Sequence, residues 1–381
     1  MAKTIKAFQK ASTFSISSQE PESRYPFIDL LRIFCALSVV LYHYQIGSRN
    51  NDAWQTFTFG EFKPIWTTNT FVSIWTTHGY LGVDIFFFLS GFVILKTVKT
   101  RSSTEFLFAR FKRLFIPYII VLIPTSLIYY FFSPTPISLE SIILDFTFSS
   151  QWKGLTPVIA ATWTLVIEIT FYLIVSLFIF VISLLRALNL TVSMFGILIT
   201  WLIIGWVVPV NSFPSPFNLL HLSGYAILFI SGAISYYIFI EKKDLDIVLK
   251  SFILMMIFTS VFIHFDSRIN EGSEATWYSL IIVLILFLVV QTSGKHRQYP
   301  KFFLLLASVL GSATYTFYLL HQQVGLFIAT WLHSKAGWTL MTSAIFSLTF
   351  LLIISVAVED LNKKFWKKKS QVLIKNSENI Y

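Results

Sequence analysis

The chain has 381 residues, of which 55% are hydrophobic, 18% aromatic and only 13% charged, with a formal net charge of +10. Ordinary soluble domains carry about 25% charged residues, so a soluble globular fold is excluded, and hydrophobicity this high excludes intrinsic disorder over most of the chain. A single cysteine excludes an internal disulfide framework and a cysteine-based zinc site, which leaves a polytopic membrane protein.

Residues 1–25 are polar and rich in Ser and Lys, and are read as a mobile cytoplasmic segment. No cleavable signal peptide is evident, because Arg32 and His43 interrupt the first apolar run. A span needs about 20 mostly apolar residues, since the hydrocarbon core is about 30 Å thick and a helix rises 1.5 Å per residue. About ten segments qualify, near 28–46, 80–98, 114–132, 163–185, 193–210, 218–240, 248–265, 275–292, 311–332 and 338–358. The apolar run of the ninth begins at Phe302, with Gly311 as a candidate break. Most of the 29 Lys and Arg fall at the two ends and in alternate connections, which puts both termini in the cytoplasm. The predicted fold is all-α: a transmembrane domain over 26–360 of about ten helices, followed by a basic cytoplasmic tail over 361–381. In the tail, Lys363-Lys364-Phe365-Trp366-Lys367-Lys368-Lys369 mixes aromatics with cations, as an anchor for anionic lipid does. These flanks account for the net positive charge, and nucleic acid is not an expected partner.

Ionisable groups inside spans are costly, face the bundle interior and are functional candidates. Arg32 and His43 share one face of span 1, because eleven residues bring them within ~20° of each other. Along the axis they stand roughly 16 Å apart. His43 belongs to the outer third, and Asp84 on span 2 and Glu168 on span 4 descend from outside to a similar level. Arg110 and Arg113 begin span 3 near the level of Arg32, and His321 falls near the midplane on span 9. Guanidinium groups at the inner face suit phosphate or pyrophosphate. A neutral histidine backed by a carboxylate suits removal of a hydroxyl proton.

Structural alternatives stand beside these roles. Asp29 and Arg32 also suit a local ion pair with snorkelling. Arg110 and Arg113 also serve as positive-inside anchors, His43 as an interhelical hydrogen-bond partner, and Glu168 as one end of a buried Glu–Arg or Glu–His bridge. Ser90-Gly91 lacks the flanks of a nucleophile elbow, and Cys35 reads as a small buried residue. His78, His221, His264, His296 and His333 show no metal-ligand spacing, and no metal is expected.

Five segments, in order, resemble motifs of the acyltransferase-3 family of integral membrane O-acyltransferases. Arg24-Tyr25-Pro26-Phe27-Ile28-Asp29-Leu30-Leu31-Arg32, continued to His43, resembles its Arg-x10-His signature. Gly79-Tyr80-Leu81-Gly82-Val83-Asp84-Ile85-Phe86-Phe87-Phe88-Leu89-Ser90-Gly91-Phe92 resembles its second-helix motif, and Phe108-Ala109-Arg110-Phe111-Lys112-Arg113 its arginine-rich start of the third helix. Trp163-Thr164-Leu165-Val166-Ile167-Glu168 with Phe171-Tyr172 is similar to its Trp-Ser-Leu-x-x-Glu-x-x-Phe-Tyr segment. Gly311-Ser312-Ala313-Thr314-Tyr315-Thr316-Phe317-Tyr318-Leu319-Leu320-His321 is similar to its Gly-x-x-Ser-Tyr-x-x-Tyr-Leu-x-His segment. The sequence departs from the family at Ala109, at Thr314, and at Glu359-Asp360-Leu361, where a Glu, a basic residue and Pro are usual.

The resemblance implies transfer of an acyl group, often acetyl, from cytoplasmic acyl-CoA to a hydroxyl of a cell-surface or lipid-linked glycan such as O-antigen or exopolysaccharide. It also implies residence in a bacterial cytoplasmic (inner) membrane, with Arg32 and His43 essential and Arg110 and Arg113 handling CoA. With no hydrolase-like domain after the last span, it implies a stand-alone enzyme, or one working with a partner enzyme or a second copy of itself. On this reading His43 is the general base, oriented by Asp84 or Glu168, and Arg32, Arg110 and Arg113 bind the CoA phosphates. Trp163, Tyr172, Tyr318 and His321 contact or support substrate, with Tyr318 or Trp163 donating to the oxyanion. A covalent acyl-His intermediate is an alternative. Acceptor recognition is expected in the outer connections 47–79 and 133–162, and a single tunnel is expected to join the guanidinium cluster to His43. The rival class is a secondary transporter of a glycolipid, sugar or small anion, with the same charges as ion relays, although no paired half-repeats are visible.

Overall fold

A computed structural model describes residues 26–46, 78–98, 100–133, 137–150, 153–185, 222–241 and 299–378, with single positions 246, 257, 261 and 281. The segment 1–25, nearly all of the connection 47–79, the span predicted at 193–210 and, but for those single positions, the spans predicted at 248–265 and 275–292 lie outside the described residues. Among the described residues every regular element is helical, as the composition predicts. In chain order these are α1 (Pro26–Ile46), α2 (Leu81–Val98), α3 (Ser103–Phe132), α4 (Leu139–Asp145), α5 (Thr162–Leu185) and α6 (Leu222–Tyr236). There follow a short π-helical extension of α6 (Tyr237–Glu241), α7 (Lys301–Leu320), the π-turn (His321–Gly325), α8 (Leu326–Ala336) and α9 (Leu340–Glu378). Among the described residues, five stretches are long and apolar enough to cross a membrane: Pro26–Tyr44, Ser103–Phe132, Thr162–Val181, Lys301–Ala336 and Leu340–Lys367.

Local chemistry sets the helix limits. α3 begins well before the predicted span because Ser102 and Glu105 form a capping box, each side chain accepting the other's backbone N–H. This satisfies two of the donors that a helix start leaves open. Pro117 and Pro124 sit inside α3, which membrane helices tolerate where neighbours and hydroxyl side chains take up freed carbonyls. Gly311 is not a break: α7 runs through it from Lys301, and a Cβ there would collide with the Asp29 side chain of α1. Its smallness makes room for a neighbour rather than ending a helix. α8 stops at Gly337, which takes the left-handed conformation at φ 70°. α9 continues without interruption past 360 into the basic residues.

The helices meet at small residues. A Cβ on Gly91 of α2 would overlap the Phe229 carbonyl of α6, and one on Gly232 of α6 would overlap the Phe88 carbonyl of α2. The two backbones therefore touch, as in small-residue packing of membrane helices. Phe88, Phe92, Phe106, Phe229 and Phe317 are fully buried in the core, and Phe171 stacks on Phe229 at 4.1 Å between centroids. Leu127, Leu177 and Ile353 point outward, the pattern expected where the solvent is lipid.

Asp145 closes α4 and organises the connection between α3 and α5. Its carboxylate accepts the Val158 N–H at 2.6 Å and the Ser150 hydroxyl, while its carbonyl accepts the Tyr118 hydroxyl at 2.9 Å. Burial raises this carboxyl above its ordinary range against those two stabilising bonds.

Candidate active site

At one end of the bundle, Arg32 of α1, Arg101, Lys112 and Arg113 of α3 and Lys363 of α9 line a cavity of about 530 Å³. Asp29, Ser308, Ser312, Glu359 and Asn362 complete much of its wall. Asp29 stands 3.9 Å from Arg32, so the local ion pair exists while Arg32 still faces the cavity. Thr316 donates to Glu359 at 2.9 Å, and the Lys112 ammonium lies 4.5 Å and 5.0 Å over the rings of Phe108 and Trp366. Five cations around one space, with only two carboxylates among its lining residues, give it the charge and donors that suit a polyanion.

Arg32 and Arg113 also line a second, narrower cavity of about 70 Å³ with Phe86, Ser90, Thr164, Glu168, Tyr315 and Tyr318. The two spaces therefore meet at this pair of guanidinium groups. Glu168 accepts the Ser90 hydroxyl at 3.2 Å and the Tyr172 hydroxyl. Its carboxylate belongs to the neck, and its hydrogen bonds do not run to His43.

Arg110 is set apart from Arg113. It is 9% exposed, lines neither of these cavities, and donates to Thr97 at 3.2 Å. Its guanidinium lies 5.1 Å over the Tyr172 ring and 5.3 Å over the Phe106 ring. A three-residue step turns two helical side chains about 60° apart. That is enough to send Arg113 into the cavity and Arg110 into the helix packing. Trp163 packs against Tyr225 of α6 at 5.7 Å.

Beyond the neck stand the histidines. The Tyr318 ring, which lines the narrow cavity, is 5.2 Å from the His321 ring, and His321 is 5.2 Å from His43. Gln322 brings its amide nitrogen within 3.1 Å and 3.2 Å of the two His43 ring nitrogens. Ser347 of α9 donates to the Gly325 carbonyl at 2.7 Å and is bonded to the Tyr44 hydroxyl at 3.0 Å, which ties the π-turn to α1 and α9. Asp84 is wholly buried in the first turn of α2. The two cavities thus lead from the cations as far as Tyr318; His321 and His43 lie beyond and line neither of them, so the single tunnel expected to reach His43 is not formed by these cavities.

Of the side chains that the structure brings to these cavities and the imidazoles beyond, the sequence singled out Arg32, Arg113, Glu168, Tyr318, His321 and His43 as candidates, but not Gln322, Gln323, Arg101, Lys112 or Lys363. Two consecutive glutamines in an apolar run are themselves a signal, because uncharged amides in a span also need partners.

The acyltransferase-3 family profile, described as an acyltransferase domain, matches residues 25–359. With nearly the whole chain covered, the protein belongs to this family and is a membrane acyltransferase. No curated protein and no solved structure matches the chain.

Proposed function

We propose that the protein transfers an acyl group, acetyl in the first instance, from acyl-CoA to a hydroxyl of a cell-surface or lipid-linked glycan. The observation that carries this proposal is the pair Arg32 and Arg113, common to a wide basic cavity and to the narrow neck that ends at Tyr318 beside the two imidazoles. The CoA phosphates pair with Arg32, Arg113, Arg101 and Lys363 from the cytoplasmic side, and the arm carrying the thioester extends through the neck. A neck of about 70 Å³ walled by Phe86, Phe87, Leu165 and Leu319 favours a short acyl chain.

The acceptor hydroxyl replaces the Gln322 N–H at the one lone-pair nitrogen of neutral His43, and His43 takes its proton as the hydroxyl oxygen attacks the thioester carbonyl. The Tyr318 hydroxyl donates to the oxyanion, the C–S bond breaks, and the proton held by His43 passes to the departing thiolate. The setting is a bacterial cytoplasmic membrane, with the basic end of α9 resting on anionic lipid.

The test uses proteoliposomes with labelled acetyl-CoA and glycolipid from the producing cell. His43→Ala is expected to lose transfer by about 10²-fold or more while keeping CoA-dependent thermal stabilisation. Full transfer by this variant at normal protein levels removes His43 from the reaction. Net solute uptake without acyl-CoA turnover assigns the chain to the transporter class instead.

A further inference from the structure

The π-turn at His321–Gly325 places three successive polar side chains inside the bundle: His321, Gln322 and Gln323 are 0%, 4% and 3% exposed. An α-helix spreads three successive side chains over about 200°, so an apolar, lipid-facing helix would expose at least one of them. π-turns within helices frequently mark functional sites.

The protons of these side chains can be assigned. The His321 Nδ1 lies against the Tyr318 carbonyl, which can only accept, so Nδ1 carries the hydrogen and Nε2 offers a lone pair. The Gln322 amide N–H faces a ring nitrogen of His43, which turns its Oε1 the other way. The Gln323 side chain is hydrogen-bonded to Tyr129 of α3, and its Oε1 is the end left over. Those three atoms, His321 Nε2, Gln322 Oε1 and Gln323 Oε1, are buried with no hydrogen-bond partner. All three are acceptors, and no donor of this turn is left open among the described residues.

Unsatisfied acceptors at membrane depth are costly and demand donors. An anion is excluded by three lone pairs, and an ammonium group would need a counter-charge that neutral amides and a neutral imidazole do not give. Neutral hydroxyl groups fit. We propose that the π-turn is the acceptor subsite: hydroxyls flanking the reactive one donate to His321 Nε2, Gln322 Oε1 and Gln323 Oε1, holding the reacting hydroxyl at His43. This inference rests on the acyl-transfer reading and extends it by naming the acceptor as a neutral polyol and the side chains that bind it.

Gln323 is the diagnostic position, since it bonds to Tyr129 and has no hydrogen bond to His43. Gln323→Met keeps the volume and removes the acceptor. Gln322→Met is the second variant, read by the same parameters. Each is purified in full length and reconstituted, with acetyl-CoA and lipid-linked glycan from the producing cell titrated separately. The acceptor KM is expected to rise tenfold or more while the acetyl-CoA KM moves less than twofold. An acceptor KM within twofold of wild type in both variants overturns the proposal. So does a parallel change in both KM values and in CoA-dependent thermal stabilisation, which marks a structural role such as holding a buried water. A wild type that binds no CoA and turns over no acetyl-CoA refutes the donor site itself, and this inference with it.

Discussion

Replacing Arg113 and Arg110 separately tests whether the cavity walls, rather than chain proximity, decide which cation holds the donor. Arg113 is solvent-exposed and lines both cavities, so Arg113→Ala is expected to change stability by no more than about 0.5 kcal/mol. A hydrogen bond to a charged group contributes about 1.5–3 kcal/mol, and each 1.4 kcal/mol is tenfold, so the CoA Kd rises by roughly ten- to hundredfold. Arg110→Ala removes one hydrogen bond to Thr97 and two ring contacts, a loss of about 2–3 kcal/mol of stability, with the CoA Kd unchanged. The assay is thermal unfolding in nanodiscs across a CoA titration. At a CoA concentration of about 100 times the wild-type Kd, binding stabilises the wild type by about 2.7 kcal/mol. A hundredfold weaker site leaves about 0.4 kcal/mol. The reasoning is refuted if Arg113→Ala keeps the full stabilisation, or if Arg110→Ala unfolds like wild type and loses the response to CoA.

Gly91→Ala places a methyl group on the Phe229 carbonyl, and the forced separation of α2 from α6 is expected to cost about 1–3 kcal/mol or more, seen as a lower unfolding temperature. Asp145→Ala leaves the buried Val158 N–H without its acceptor, which lowers stability by about 1–3 kcal/mol, while the acetyl-CoA KM stays at the wild-type value. Phe86→Ala widens the neck. The kcat/KM ratio of butyryl-CoA to acetyl-CoA is expected to rise about tenfold, and an unchanged ratio shows that the acyl group does not lie there.

The helices most legible in the sequence were those whose apolar length alone defined them, α1 and α5 above all. The start of α3 was missed: hydropathy sees nothing until the charges of 105–113 have passed, and the signal lies in the pair Ser102 and Glu105. The site divides the same way. Helical rotation placed Arg32 and His43 on one face and helical rise set them apart along it, and the structure keeps one at the cations and the other at the imidazoles. Rise says nothing about azimuth between helices, so Glu168, expected beside His43, bonds instead to Ser90 and Tyr172 in the neck. Arg110 and Arg113 looked equivalent because their offset of about 60° on one helix does not say which of the two directions faces the cavity. Gln322 and Gln323 escaped because a search for charge inside spans passes over amides, and because no residue pattern announces a π-turn.

α9 carries Ser347, which grips Tyr44 and Gly325, and also Glu359, Asn362 and Lys363 in the basic cavity. Sixteen residues of one unbroken helix separate Ser347 from Lys363, roughly 24 Å. α9 is thus a fixed gauge that sets the distance between the π-turn and the basic cavity. One residue inserted between Ser347 and Glu359 would advance the far end by about 1.5 Å and swing it by about 100°. The two ends would fall out of phase although no residue touching either ligand had changed.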